Sequence, residues 1–571
     1  MSLESGGETS VRDSREVAAP KVAATTENPS SAPSLGRRAL IKAVGGGIMG
    51  AIAATEALAP RSLAAEVRGA AEPSHTPPAP PPSNVAGVFD VKAFGAVGDG
   101  TTIDSDAINK AIDAAVAAGG GTVRFPAGTY ATFSIRLKSN VQLYIGPGAT
   151  ILGAATPASG VGYDPAEPKT AWDAYQDFGH NHWHNSLIWG ENLENVSIVG
   201  PGLIHGLGLT RGQNDSKPGV GDKAIALKLC HNVTLRDFSI LQGGHFGILA
   251  TGVDNLTIDS LRIDTNRDGM DIDCCRDVHI SNCTVNSPWD DAIVLKSSYA
   301  LGEARSTDHV TITNCFVTGG YALGSVLDCT WKPFDGPHHD PLTGRIKCGT
   351  ESNGGFRNIA ISNCVFDKAQ GLALETVDGA ILEDISITNI TMRGITSSPL
   401  FLRLGRRMRG PATLPVGVLR RVNISNIVVS DSASKVCCMI MGIPNHVIED
   451  VRISNVFVQH QGGGTADDAA FIPAEDETRY PDPWFFPRMP TNGFFIRHAK
   501  NVELRDIEIQ AVTPDARPTF GVTAVEGAEF FNVCGPKDVP LFSLHDVQDF
   551  TAVQCKQVDD TELDDVDHKT F

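Results

Sequence analysis

Basic residues and aromatic residues are both scarce in this chain. Its 571 residues include 47 Lys and Arg against 66 Asp and Glu, which gives a formal net charge of −19, and only 6% are aromatic. Nucleic-acid binding needs a basic surface, so this composition argues against a nucleic-acid partner. A polyanionic ligand would be repelled by the protein as a whole and would need a local basic patch.

The sequence also lacks cysteine and histidine pairs at metal-binding spacing. None of the 12 cysteines forms a CxxC motif, and Cys283, Cys315 and Cys364 each follow an Asn inside an apolar strand pattern. A free buried thiol packs there as a small hydrophobe. A disulfide between Cys534 and Cys555 is the alternative for an exported protein. We expect no structural metal and no cofactor.

The first 87 residues do not have the pattern of a folded domain. Residues 1–65 carry Arg37 and Arg38 before a Gly/Ala-rich apolar stretch, which is typical of a twin-arginine export signal with a long polar leader. A membrane anchor is the alternative, but the apolar run is short and Glu56 interrupts it. Residues 66–87 read as a Pro/Ala-rich linker. We therefore expect a periplasmic or extracellular protein, with no stable membrane span after signal removal and one domain over 88–571.

A phrase of two alternating strands joined by a turn recurs along this domain. Copies begin at Asn232, Asn255 and Asp277. One copy thus follows another after about 22 residues, a period that is too short for a propeller blade. The copies have no leucine-rich-repeat spacing and leave no room for a helix between them. The pattern predicts an all-β solenoid in which each repeat is one coil of parallel strands.

An amphipathic helix precedes the repeats. Residues 103–117 place Ile103, Ile108 and Ile112 on one side, and Asp104 or Ser105 is placed to cap the helix start. The terminal coil of a solenoid exposes its apolar interior. We expect this helix to cover that end.

Asparagines recur at one position of the repeat. We expect them at the same bend of successive coils, where their amides either form a hydrogen-bonded ladder or simply tolerate the left-handed turn conformation. These residues are Asn282, Asn314, Asn363, Asn389, Asn426 and Asn455.

Aspartates recur at the same period. Asp268 precedes the pair Asp290–Asp291 by one such period, which is one coil, so we expect the three carboxylates to converge on the outer surface. Such convergence raises at least one carboxyl pKa, whereas solvated turn acids are the alternative. An acid facing a carboxylate suits hydrolysis of a glycosidic bond.

Arg345 and Lys347 form a candidate cationic site. In a strand, these two side chains point to the same face. They would suit the carboxylate of a uronic acid, unless they are ordinary solvent-facing bases.

Three motifs in the sequence resemble those of one family, and they occur in the same order as in that family. Asn266-Arg267-Asp268, Trp289-Asp290-Asp291 and Arg345-Ile346-Lys347 match the Asn-Thr-Asp, Gly-Asp-Asp and Arg-Ile-Lys motifs of glycoside hydrolase family 28. The resemblance extends from about residue 88 to about 555. It implies a right-handed parallel β-helix of the pectin-lyase-like type, with the amphipathic helix as its N-terminal cap.

The resemblance also implies an activity and roles. The protein would be an exported hydrolase of a galacturonic-acid-containing pectic polysaccharide or oligosaccharide, and phrases typical of the bacterial branch point to exo action or to rhamnogalacturonan. Asp290 would be the general acid of an inverting reaction. Asp268 and Asp291 would hold and deprotonate the water, and Arg345 and Lys347 would bind the substrate carboxylate. A polysaccharide lyase and a non-catalytic carbohydrate-binding β-helix are the alternatives.

The chain departs from the family pattern at several positions. Gly320-Tyr321-Ala322 stands where Gly-His-Gly is expected, and Arg267 and Trp289 replace Thr and Gly. His245, one coil before Asp268, is a candidate to line the cleft in place of the missing histidine, or else an ordinary surface histidine. Insertions around 157–186 and 459–492 would either wall off one end of a groove or cover apolar coil edges.

Overall fold

The chain folds as a parallel β-helix, as the repeat predicts. The computed structural model describes residues 87–211, 217–336 and 342–571. The proposed export signal and nearly all of the linker lie outside these ranges. Coils stack so that the strands form three columns of parallel neighbours.

The first column carries most of the polar side chains discussed below. It contains Ile135–Arg136, Ile188–Glu191, Lys223–Lys228, Phe246–Thr251, Asp268–Asp273, Ile293–Ser297, Ile346–Ser352, Leu372–Thr376, Leu400–Leu404 and Cys438–Met441.

The second column follows it around each coil. Its members are Val88–Asp90, Gly121–Phe125, Val141–Ile145, Glu194–Val199, His231–Arg236, Asp254–Asp259, Arg276–Ser281, Thr307–Thr313 and Phe356–Ser362.

The third column consists of shorter strands and returns the chain to the first. Its members are Asp99–Ile103, Gly128–Thr132, Ala149–Gly153, Leu203–His205, Ser239–Leu241, Arg262–Asp264, Thr284–Asn286, Phe316–Thr318 and Val365–Asp367.

Later strands are long enough to turn corners between columns. Phe494–Ala511 pairs first with Cys438–Met441 of the first column and then, along the rest of its length, with the long strand Ile448–His460. The remaining long strands are Ile381–Arg393, Val418–Ser432, Ile448–His460, Phe520–Phe531, Phe542–Val553 and Thr561–Thr570.

The interior is a set of aligned apolar rows. In the first column, Ile225, Ile248, Met270, Ile293 and Ile346 occupy equivalent positions on consecutive coils, and all are fully buried. Side chains alternate between the two faces of a strand, so the intervening residues point outward. The outward positions of this column are therefore available for polar groups.

Both ends of the β-helix are covered. The helix Ser105–Ala117 buries Ile108 and Ile112 against the first coils. The predicted start was wrong by two residues, because Ile103 belongs to a strand and is 47% exposed. Asp104 precedes the helix, but its carboxylate accepts the backbone N–H groups of Val97 and Gly98 instead of capping the helix. At the other end, Thr561–Thr570 pairs antiparallel with Phe542–Val553.

Other helices are short. Ala466–Ala469 forms one α-helical turn, and 3₁₀ turns are found at Val91–Phe94, Asp173–Tyr175, Phe178–Asn181 and Pro483–Phe485. Across the described ranges, no helix is both long and apolar enough to cross a membrane. The 12 cysteines, all within the described ranges, are free thiols, including Cys534 and Cys555.

The asparagine bend uses both of the expected properties. Asn389 has φ +57°, donates to the Asn363 side chain at 3.1 Å and accepts from Asn426 at 3.1 Å. Asn455 continues the ladder by donating to Asn426 at 2.8 Å. The ladder is interrupted between Asn314 and Asn363, because the Asn363 amide donates to Thr313. Left-handed dihedrals and amide hydrogen bonds therefore stabilise the same corner.

We expect Asn389→Ala to lower the free energy of unfolding more than Asn389→Gly does. Both changes remove the amide, but only Ala pays the cost of a left-handed backbone, about 1–2 kcal/mol. Urea titration of the two variants measures the difference. Equal stabilities would contradict a role for the left-handed bend.

Candidate active site

Three aspartates meet at the edge of the first column. Asp268 begins its strand, and Asp290 and Asp291 lie in the turn that leads to the next strand, Ile293–Ser297. Met270 pairs with Ile293, and the same register places Asp268 level with Asp291 and not with Asp290. The local coil is thus one residue longer than the predicted period.

The carboxylates converge, but two of them are not on an open surface. One oxygen from each of the three lies within 4.8 Å of the others. Asp268 and Asp291 are only 2% and 3% exposed, whereas the Asp290 side chain is 32% exposed. The expectation of three outer-surface acids was therefore wrong in the exposure of two of them, because Arg267 lies against Asp268 and because Arg345 and Lys347 lie against Asp291.

Two buried cations hold Asp291. Arg345 donates from Nε to Asp291 Oδ1 at 2.8 Å, and Lys347 Nζ lies 3.4 Å from Oδ2. Burial alone would raise the pKa of Asp291, but the charges of Lys347 and Arg345 bring it below the usual value. Asp291 is therefore kept as a carboxylate.

Asp268 has the opposite electrostatic environment. Burial, together with the charge of Asp290 nearby, raises the pKa of Asp268 well above its ordinary value. Arg267 opposes this effect only in part, with Nε 3.4 Å from Asp268 Oδ2 and 3.2 Å from Asp290 Oδ2. The cluster thus contains one acid that favours its proton and one that does not.

Arg345 and Lys347 lie on one face, as predicted, yet both are engaged. Besides Asp291, Arg345 donates to Gln370 at 2.5 Å and to Asp482 at 2.8 Å, and it is 1% exposed. Lys347 lies 3.5 Å from Glu375 Oε2 and 5.5 Å from the centre of the Tyr480 ring. Their part in binding a substrate carboxylate stays a prediction.

His245 lies against Arg267, whereas Tyr321 is held by a different set of residues. His245 is 2% exposed, and its Nδ1 lies 2.8 Å from a terminal nitrogen of Arg267, which it helps to orient. Tyr321 points away, because its hydroxyl donates to Asp367 at 2.6 Å and its ring contacts Trp331. A substrate-binding role for His245 stays a prediction.

A second set of buried charges lies beside the acids and was missed in the sequence. Lys296 bonds to Glu351 at 2.9 Å and lies 3.6 Å from Asp271. His180 lies 3.2 Å from Asp271. Burial and Lys296 lower the pKa of His180, but Asp271 and Asp273 outweigh them and raise it to about 9. The sequence signal that could have indicated this set is the presence of charged residues at the outward positions of otherwise apolar strands, as in "DGMDID".

Both insertions reach this region. The segment 157–186 brings His180 onto the first column, and Trp183 donates to Thr251 at 3.3 Å. The segment 459–492 contributes Tyr480, which accepts from Thr350 at 2.8 Å, and Asp482. At these points the insertions cover a charged part of the sheet, not an apolar coil edge.

The three aspartates are also the candidate cation ligands among the described residues. Carboxylate oxygens suit a hard cation such as Ca²⁺. Arg267, Arg345 and Lys347 already supply positive charge at these oxygens. The donor set therefore fits a metal ion poorly.

Comparison with known proteins places this site within one family model. The model for glycosyl hydrolases family 28 matches residues 166–333, which include all three aspartates. Residues 88–199 match a model described as rhamnogalacturonase A/epimerase, pectate lyase-like.

Two curated relatives are similar to parts of this chain. An exo-poly-alpha-D-galacturonosidase of Dickeya chrysanthemi is 28% identical over 222 residues, covering 37% of this chain and 34% of the relative. A mannuronan C5-epimerase of Azotobacter vinelandii is 36% identical over 125 residues, covering 21% of this chain and 7% of the relative. The chain thus spans about a third or less of these two curated relatives.

A solved structure supports the fold. The family 28 exopolygalacturonase of Yersinia enterocolitica superposes with a TM-score of 0.56 at 18% identity, covering 78% of each chain. The predicted right-handed parallel β-helix is confirmed. Through residues 166–333, the predicted resemblance to glycosyl hydrolases of family 28 is confirmed as well.

Proposed function

We propose that this protein is a glycoside hydrolase that cleaves a galacturonic-acid-containing pectic polysaccharide or oligosaccharide. The observation that carries the proposal is the convergence of Asp268, Asp290 and Asp291 within 4.8 Å, with only Asp290 substantially exposed. Cleavage of a glycosidic bond needs a proton donor at the leaving oxygen and a carboxylate to activate water. This cluster contains both kinds of group.

The three aspartates differ in exposure and in charge environment, and these differences suggest their catalytic roles. Asp290 is the acid that a sugar can touch, so it protonates the leaving oxygen. Asp291, kept ionised by Arg345 and Lys347, accepts the proton of the attacking water. Asp268 holds that water with Asp291, and its raised pKa lets it carry a proton within the cluster.

Two observations bear on stereochemistry in opposite directions. The oxygens lie closer than the separation of about 6.5–9.5 Å typical of inverting carboxyl pairs. However, a retaining enzyme needs a nucleophile that reaches the sugar carbon, and Asp268 and Asp291 are almost fully buried. Water reaches such groups more easily than a sugar ring does. Burial therefore favours inversion.

One curated relative favours an end-acting hydrolase, and the other supports a different activity. The Dickeya relative is named as an exo-acting galacturonosidase. The Azotobacter relative is named as an epimerase of mannuronan. Epimerisation or lyase chemistry on an acidic sugar polymer is thus the second candidate, and a lyase releases a product that absorbs in the ultraviolet.

Location is part of the proposal. A pectic substrate lies outside the cytoplasm, and Arg37 and Arg38 precede an apolar stretch typical of twin-arginine export. We infer export by this route to the periplasm or beyond.

We expect Asp290→Asn to lower the release of reducing sugar from galacturonate oligomers by about 10²–10⁴-fold, because the leaving oxygen loses its proton donor. Reducing-end assays on purified protein measure the change. Asp237→Asn is the matched control, because Asp237 is likewise an accessible aspartate beside an arginine, Arg236, and lies outside the cluster. Full activity in Asp290→Asn would contradict the proposal. An ultraviolet-absorbing product would favour a lyase.

We also expect the first product released from an α-linked galacturonate oligomer to be the β anomer. Water held by the two buried acids attacks from the face opposite the leaving group. Proton NMR recorded during early turnover distinguishes the anomers before they equilibrate. Initial release of the α anomer would show retention and contradict the water-holding role of Asp268 and Asp291.

A further inference from the structure

The departures from the family motifs lie together in space. Arg267 replaces the expected Thr, and Trp289 replaces the Gly before the acid pair. Arg267 contacts both Asp268 and Asp290. Arg211, from a different coil, places its guanidinium 4.3 Å from the centre of the Trp289 ring. Two arginines and an indole thus border the exposed acid.

Arg211 is positioned to bind an anion. The side chain is half-buried, and its buried Nε–H has no hydrogen-bond partner within the described part of the chain. The contact with the Trp289 ring holds the guanidinium by a cation–π interaction, which does not use its N–H donors. A guanidinium presents a planar fork of N–H donors, which matches the geometry of a carboxylate.

Arg345 and Lys347 are poorly suited to the same task. Both are nearly inaccessible, and each already binds Asp291 and a further acid, Asp482 or Glu375. A substrate carboxylate would have to displace these buried partners, at considerable cost. Arg267 is more accessible, with 22% of its side chain exposed, and it contacts Asp290, the exposed acid.

We propose that Arg211, held on Trp289 and assisted by Arg267, binds the carboxylate of the uronic acid unit next to Asp290. This inference rests on the proposed function and names its specificity-determining residue. It explains how a protein with net charge −19 attracts an acidic sugar at its cleft.

The electrostatics of the pair agree with this assignment. Burial and the positive charge of Arg267 lower the pKa of Arg211. Asp290 and Asp268 compensate for that repulsion only in part. A bound carboxylate would relieve the repulsion between the two guanidinium groups.

The test compares Arg211→Gln with the unaltered protein on galacturonate oligomers and on their methyl esters, which lack the charge. For the free acid we expect KM to rise about 10- to 100-fold with kcat within about threefold, because a charge-assisted hydrogen bond is lost. For the ester we expect little change. Arg211→Lys should recover part of the affinity, since it keeps the charge but not the fork.

Arg452→Gln is the matched control. The Arg452 side chain is 77% exposed, and it pairs with Glu503, which is outside the acid cluster. Melting temperatures establish that each variant is folded. Unchanged KM for the acid, or an equal loss on acid and ester, would overturn the inference while leaving hydrolysis intact. If the unaltered protein hydrolyses neither substrate, calorimetric binding of a galacturonate oligomer decides. Weaker binding by Arg211→Gln then supports the inference, and equal binding overturns it.

Discussion

The charge balance around Asp291 is the constraint on which the rest of the site depends. Arg345 and Lys347 neutralise this buried carboxylate, and each has a further acidic partner: Asp482 from a distant insertion and Glu375 from the next strand of the same column. Breaking any one of these pairs would leave an uncompensated buried charge, which is strongly destabilising. The network therefore fixes the coil, the insertion that carries Asp482 and the acids in one arrangement. Asp290, at its edge, is left accessible.

Much of the architecture can be predicted from the sequence, because every coil of a solenoid has a similar length and the same alternation of inward and outward side chains. The spacing of successive copies sets one coil, and alternation decides which side chains enter the core, as for Ile248 and Met270. Asparagines such as Asn389 mark the corner, where left-handed dihedrals and amide ladders recur. The meeting of Asp268 with Asp291 depends on the same period, and an error of one residue in the coil length changed the alignment but not the convergence.

The partners of these residues could not be predicted in the same way. The hydrogen bond of Arg345 to Asp482 and the contact of His180 with Asp271 both depend on where long insertions fold back. No periodicity governs those segments, so no register can be predicted for them. Arg267 and Trp289 were visible as departures, but their association with Arg211 required the structure.

Asp268 lowers the stability of the folded protein by an amount that depends on pH. Its pKa is raised in the folded state, so the folded protein binds more protons than the unfolded chain once pH exceeds about 4, and stability falls as pH rises toward the folded pKa. Melting temperatures of Asp268→Asn and the unaltered protein, compared from about pH 4 to about pH 8, test this directly. We expect the variant to gain stability relative to the unaltered protein as pH increases. A difference that does not change with pH, or that reverses, would contradict the converging-acid account.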